Sequence, residues 1–272
     1  MYRLLVTDID DTLLAPDGSL PPANHGALQR LHRAGIIIVF ASGRSDLSIQ
    51  RIAAPILEPA DDEYYIAFNG ARIVTADSRR IVSRRYVPVN VVSRVVSYAH
   101  DCGLHVQGYE GDEFLVERED AYTAMYAEAT RTQPRVVPDL AAALSEGSPK
   151  LLIVGEHEEL VPHRDRLQAL GASGETSGFM VMFSKPKYLE VVATGVDKGD
   201  ALRRLAGTLG IPVRETLAVG DGDNDVAMID AAGTGLAVAS AHAAALEHAD
   251  VVLESRAGDG AMEEIAKRFF GT

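Results

Sequence analysis

The chain has 272 residues, 47% of them apolar, more than a single compact core usually holds, so a large domain with a smaller companion is expected. Its 26 basic residues against 39 acidic ones give a net charge of −13, which argues against nucleic acid or an anionic membrane as partner. The arginines clustered between Arg79 and Arg85 read as a solvated strand edge or linker rather than a binding patch. One cysteine, Cys102, excludes an internal disulfide framework and suits a reducing compartment; it reads as a small buried residue at the end of a helix. The N-terminus begins as a strand rather than a signal peptide, and no apolar run approaches the roughly 20 residues of a membrane span. A cytoplasmic location is therefore expected.

In chain order, short runs rich in Val, Ile and Leu alternate with helical patterns. Strands are expected at Leu4 to Thr7, Ile36 to Ala41 and Ile66 to Asn69, with helices near Ala23 to Ala34 and Ser45 to Leu57. The middle differs: Leu104 to Tyr109 and Glu113 to Glu117 flank a Glu-Gly-Asp turn and read as an antiparallel hairpin, as do Phe179 to Phe183 and Tyr188 to Ala193. Helices there are expected at Val91 to Asp101, Asp120 to Thr132 and His157 to Leu170. The alternating pattern then resumes, with strands at Thr216 to Val219, Gly235 to Val238 and Asp250 to Leu253, and helices at Lys198 to Leu209, Asp223 to Ala232 and Ala241 to Glu247. This predicts an α/β fold, a Rossmann-like parallel-sheet core of residues 1–83 and 191–272, interrupted by an α+β insert over 84–190. The insert would join the core by crossings near Arg84 and Lys187 and could move over the sheet's carboxyl edge.

Four segments carry the chemistry. The first strand ends in Thr7-Asp8-Ile9-Asp10-Asp11-Thr12, and carboxylates two apart in extended chain point to one side, so Asp8 and Asp10 can meet one ligand. Two such charges coexist only with a cation between them or a proton on one; the alternative is an Asp-rich turn. Ala41-Ser42-Gly43-Arg44 places a hydroxyl and backbone amides ahead of a helix, which suits an anion or an ordinary helix cap. Lys198 opens a helix, where its charge opposes the helix dipole; a phosphate would give it a purpose, and a solvated lysine is the alternative. Gly220-Asp221-Gly222-Asp223-Asn224-Asp225 packs hard oxygen ligands at a strand's carboxyl edge and favours magnesium. Calcium is set aside, since no glutamate follows at the required place and a strand, not a helix, precedes.

These four segments, in this order, resemble the haloacid dehalogenase-like superfamily, specifically its Cof-like branch of sugar-phosphate phosphatases. Asp8, Asp10 and Thr12 match the opening DxDxT motif, Ser42 the second motif, Lys198 the family's lysine, and Gly220-Asp221, Asn224 and Asp225 the acidic GDxxND loop. The insert lies where that branch carries its cap domain. The resemblance implies that Asp8 is the nucleophile and Asp10 the general acid and base, and that magnesium is held by Asp8, the Asp10 carbonyl and Asp221, with Asp225 behind them or an occasional ligand. Ile9, Ser42, Gly43, Lys198 and Asn224 would hold the phosphoryl oxygens. The implied function is magnesium-dependent hydrolysis of a small phosphorylated metabolite such as a sugar phosphate; a phosphosugar mutase and a silent phosphometabolite-binding regulator are the alternatives. Three departures stand out: Asp11 replaces the commonest glycine, Val238-Ala239-Ser240-Ala241 replaces Gly-Asn-Ala, and Ser42 stands where threonine is commoner.

Overall fold

Branched apolar runs become inner strands of a sheet in the computed structural model, which describes residues 1–60, 62–171 and 178–272. The chain divides into two units, Met1–Arg84 with Val196–Thr272, and Arg85–Gly195. The first part of unit one runs β1 (Leu4–Asp8), α1 (Pro22–Arg33), β2 (Ile37–Ala41), α2 (Asp46–Ala53), β3 (Tyr64–Ala67), β4 (Arg72–Thr75) and β5 (Ile81–Arg84). Unit two follows with α3 (Val89–Asp101), β6 (His105–Glu110), β7 (Glu113–Val116), α4 (Ala121–Thr130), β8 (Pro134–Val136), α5 (Leu140–Ala143), β9 (Leu151–Val154), α6 (His157–Gly171), β10 (Phe179–Lys185) and β11 (Tyr188–Ala193). The chain returns to unit one with α7 (Lys198–Thr208), β12 (Thr216–Gly220), α8 (Val226–Ala231), β13 (Thr234–Ala237), α9 (Ala243–His248), β14 (Val251–Val252) and α10 (Ala261–Ile265).

Among the described residues, unit one is built on a sheet in the order β14-β13-β12-β1-β2-β3-β4-β5. It is parallel from β14 to β3, and β4 and β5 add to it antiparallel. Every residue of β1 is buried, as a central strand covered on both faces requires. The basic run Arg79 to Arg85 contributes the edge strand β5, where charged side chains discourage further pairing. β3 ends at Ala67, two residues short of expectation, because Phe68, Asn69 and Gly70 take left-handed backbone angles and turn the chain.

Unit two holds a sheet in the order β10-β11-β9-β6-β7-β8. One face packs Val106, Leu115, Leu151, Ile153, Leu189 and Val191 against core residues of α3, α5 and α6. The other carries a hydrogen-bonded chain of Gln107, Tyr109 and Tyr126, with the buried pair Lys150 and Glu190 (2.7 Å) beside it. Both expected hairpins are present. The unit extends to Gly195 rather than 190, since β11 stays paired to Ala193, so the second crossing is at Gly195 and not near Lys187. Lys187 sits in the β10–β11 turn and pairs with Glu156. Cys102 is exposed, not buried: α3 ends there, the Leu104 amide bonds back to the Ala99 carbonyl, and Leu104 packs on the core in its place.

Candidate active site

The strand order reverses at β1, which pairs with β12 on one side and β2 on the other. Thr7 lies opposite Val219, Asp8 opposite Ala41 and Ala41 opposite Ile66, so four strands end level. The turns carrying Asp8–Thr12, Ser42–Arg44, Phe68–Gly70 and Asp221–Asp225 therefore meet at one carboxyl edge, the usual ligand site of such sheets.

Lys198 reaches this edge from the first turn of α7. Asp197 caps that helix, its carboxylate accepting the Asp200 amide at 2.6 Å. Two glycines let α7 come close: a β-carbon at Gly199 would lie 2.0 Å from the Ala227 carbonyl oxygen, and one at Gly70 2.2 Å from that of Asp197. The Lys198 side chain is wholly buried, and its ammonium donates to Asp8 Oδ1 and, at 2.7 Å, to Asp225 Oδ1. It is not a solvated lysine. Burial alone would lower its pKa, but the charges of Asp225 and Asp8 outweigh that and raise it.

Asp225 is buried, and its other oxygen accepts the amides of Asp221 and Gly222 at 3.1 and 3.0 Å, which holds the acidic loop in shape. Thr12 donates its hydroxyl to Asp221 Oδ1 at 2.8 Å, a link across 209 positions that the motif match named without a role. Burial pushes the Asp8 carboxyl well above the ordinary range, with Lys198 opposing and Asp225 reinforcing. Burial likewise raises Asp221 to about 6, helped by the charges of Asp225 and Asp11 against the Thr12 hydrogen bond. Ligand oxygens of Asp8, Asp221 and Asp225 lie within 4.8 Å of one another. Three carboxylates facing one ammonium leave excess negative charge on hard oxygen donors, so the residues fit a divalent cation such as magnesium.

The remaining residues surround this cluster. Asp10 is half exposed and forms a two-pronged pair with Arg44, Nε to Oδ2 at 2.8 Å and Nη2 to Oδ1 at 2.6 Å. The motifs of the resemblance assign Arg44 no role. Ser42 is buried and is not a helix cap; Ser45 caps α2, while Ser42 Oγ accepts the Arg44 amide at 3.2 Å. Asn224 is exposed and donates to Asn69 Oδ1 at 3.2 Å, so Asn69, which the sequence pattern marks only as a strand end, joins the site. The Asn-Gly step after an apolar run is the turn signal that could have exposed it. Where Gly-Asn-Ala is usual, Ser240 instead accepts the Ala257 amide at 3.0 Å, and the His242 amide reaches the Asp221 carbonyl at 2.8 Å, closing the loop without the asparagine.

A parallel α/β sheet with an aspartate-rich carboxyl edge and a buried lysine defines a phosphatase-type hydrolase, and the comparisons agree. A family model described as haloacid dehalogenase-like hydrolase matches residues 5–265. The HMP-PP phosphatase of Cronobacter sakazakii is 31% identical over 242 residues, 89% of this chain and 85% of that protein; that of Serratia proteamaculans is 31% identical over 245, with the same coverage. Among solved structures, a haloacid dehalogenase-like hydrolase from Bacteroides thetaiotaomicron superposes with a TM-score of 0.88 at 29% identity, covering 99% of this chain and 100% of that one. A Thermotoga maritima protein gives 0.90 at 28%, covering 99% and 98%. The chain belongs to the haloacid dehalogenase-like hydrolases, in their Cof-like branch, and is a phosphatase.

Proposed function

We propose that the protein is a magnesium-dependent phosphomonoester hydrolase of a small phosphorylated metabolite, such as a sugar phosphate, working through a phosphoaspartyl intermediate on Asp8. The observation that carries this reading is the buried Lys198 ammonium bridging Asp8 and Asp225 beside Asp221. A carboxylate can attack an anionic phosphate only where positive charge gathers around both. Asp8, the Asp10 carbonyl and Asp221 would hold the magnesium ion, which neutralises charge on the phosphoryl group when bound; Asp225 keeps the Asp221 loop in place.

In the first half-reaction an Asp8 oxygen attacks phosphorus, the bond from phosphorus to the leaving oxygen breaks, and the Asp10 carboxyl gives that oxygen its proton. In the second, water attacks the same phosphorus, the Asp10 carboxylate takes the water's proton, and the bond to Asp8 breaks, releasing inorganic phosphate. The Ile9 and Gly43 amides, the Ser42 hydroxyl, Lys198 and Asn224 hold the phosphoryl oxygens throughout. The curated relatives carry the name HMP-PP phosphatase, which supports a small metabolite as substrate and adds HMP-PP to those worth testing.

The experiment is phosphate release from sugar phosphates, nucleotides and HMP-PP, with and without magnesium. Asp8→Asn keeps the shape and loses the nucleophile, so turnover should vanish in folded protein, and chelation should silence the parent reversibly. Activity of Asp8→Asn within tenfold of the parent, or full activity in excess chelator, would overturn the reading.

A further inference from the structure

Phe68, Asn69 and Gly70 have φ of 51°, 53° and 101°, three successive left-handed residues at the end of β3. A residue with a β-carbon seldom adopts this conformation, two adjacent ones still less, and such strain persists only where the surroundings impose it. Here the surroundings are the Ser42–Arg44 turn: the Phe68 amide donates to the Arg44 carbonyl and the Asn69 amide to the Ser42 carbonyl, each at 2.9 Å. The Asn69 carboxamide then faces the acidic loop as well as that same turn. It accepts from Asn224 Nδ2 at 3.2 Å, and it lies against Gly43, where a β-carbon would be 3.2 Å from Asn69 Nδ2.

We infer that Asn69 is a positioning residue for the phosphoryl pocket, holding the Asn224 carboxamide in register with the Ser42–Gly43 turn. This rests on the reading above, in which Ser42, Gly43 and Asn224 bind phosphoryl oxygens. A primary amide has two N–H groups, and engaging one with Asn69 fixes the direction of the other. Asn224 is exposed and stands in a short 3-10 turn, so this hydrogen bond orients a side chain that packing does not enclose. The left-handed backbone would accept glycine without strain and aspartate at a small cost. Glycine offers no acceptor, and aspartate would place negative charge beside an anionic substrate, which leaves asparagine as the residue that serves both needs.

The test compares Asn69→Gly, Asn224→Ala and the double variant in kcat/KM, in inhibition by inorganic phosphate and in Tm. Glycine is at ease at φ 53°, so Asn69→Gly should keep the parent's Tm or exceed it. Its kcat/KM should fall about tenfold, and the phosphate concentration for half inhibition should rise by a similar factor, the effect of one hydrogen bond to a charged group. Asn224→Ala should lose about as much, and the double variant no more than the worse single, because both act through one carboxamide. Parent-like phosphate inhibition by Asn69→Gly, a fall in its Tm with phosphate inhibition unchanged, or losses that multiply in the double variant would each overturn the inference. If Asn224→Ala itself turns over and binds phosphate like the parent, the phosphoryl role of Asn224 fails, and the inference falls with it.

Discussion

Asp11 stands where the family most often has glycine, and its φ of 56° shows why glycine is common there. The turn after Asp10 needs left-handed backbone, which costs most residues more than it costs glycine. Asp11 also adds its charge to those raising Asp221. Asp11→Gly should therefore stabilise the fold by roughly 1 kcal/mol, read from urea unfolding. An unchanged or lower midpoint would show that Asp11 makes compensating contacts. Arg44 belongs at the same scale. Its fork fixes the Asp10 carboxylate, and a proton donor matters most when the leaving group is poor. Arg44→Ala should lower kcat at least ~10-fold for an alkyl phosphate but much less for p-nitrophenyl phosphate, whose leaving group needs no proton. Equal losses on both substrates would mean that Arg44 serves binding rather than proton transfer.

At the scale of elements, pattern reading recovered strands and helices whose apolar periodicity is strong and missed those defined by partners. β9 is a continuous apolar run, Leu151–Val154, which periodicity alone cannot assign, and α5 has only four residues. β4 is a strand because β3 offers it an edge, and β5 because β4 does in turn. Between α1 and β3 lies Glu63, buried at 4% exposure, with His32 Nδ1 3.1 Å from its carboxyl. Burial, aided by the charge of Asp62, pushes its pKa from 4.5 up to about 7. The folded state thus binds the extra proton between those values, and stability falls as pH rises through that window. Glu63→Gln cannot ionise, so relative to the parent it should gain on the order of 2 kcal/mol between pH 5 and pH 8. Chemical denaturation at both pH values checks this, and a difference independent of pH would refute it.

At the scale of the whole molecule, we propose a division of labour, with the phosphoryl chemistry carried by unit one and the choice of leaving group by residues 85–195. Exchanging that segment for its counterpart from a relative should reorder kcat/KM across a substrate panel. Magnesium dependence and the need for Asp8 should survive the exchange. An unchanged ranking in folded protein would assign substrate choice to unit one.

The sequence by itself determined the alternation of strand and helix, the interruption by an α+β insert, and the residue types at each strand end. Those features are set locally, by side-chain periodicity, by the affinity of Asp for turns, and by which atoms can bind phosphate or a hard cation. Only the tertiary structure decided who meets whom. Lys198 contacts Asp8 from 190 positions away, Asn224 meets Asn69 across 155, and Thr12 holds Asp221 across 209. Whether Lys198 lies in water or between carboxylates depends on how closely α7 can approach the sheet, and that is set by Gly199 and Gly70 against Ala227 and Asp197. Cys102 is exposed for a shorter-range reason, since the chain reversal at Gly103 hands its place on the core to Leu104. A side chain's burial and its partner are properties of packing among distant segments, which no local stretch of the chain encodes.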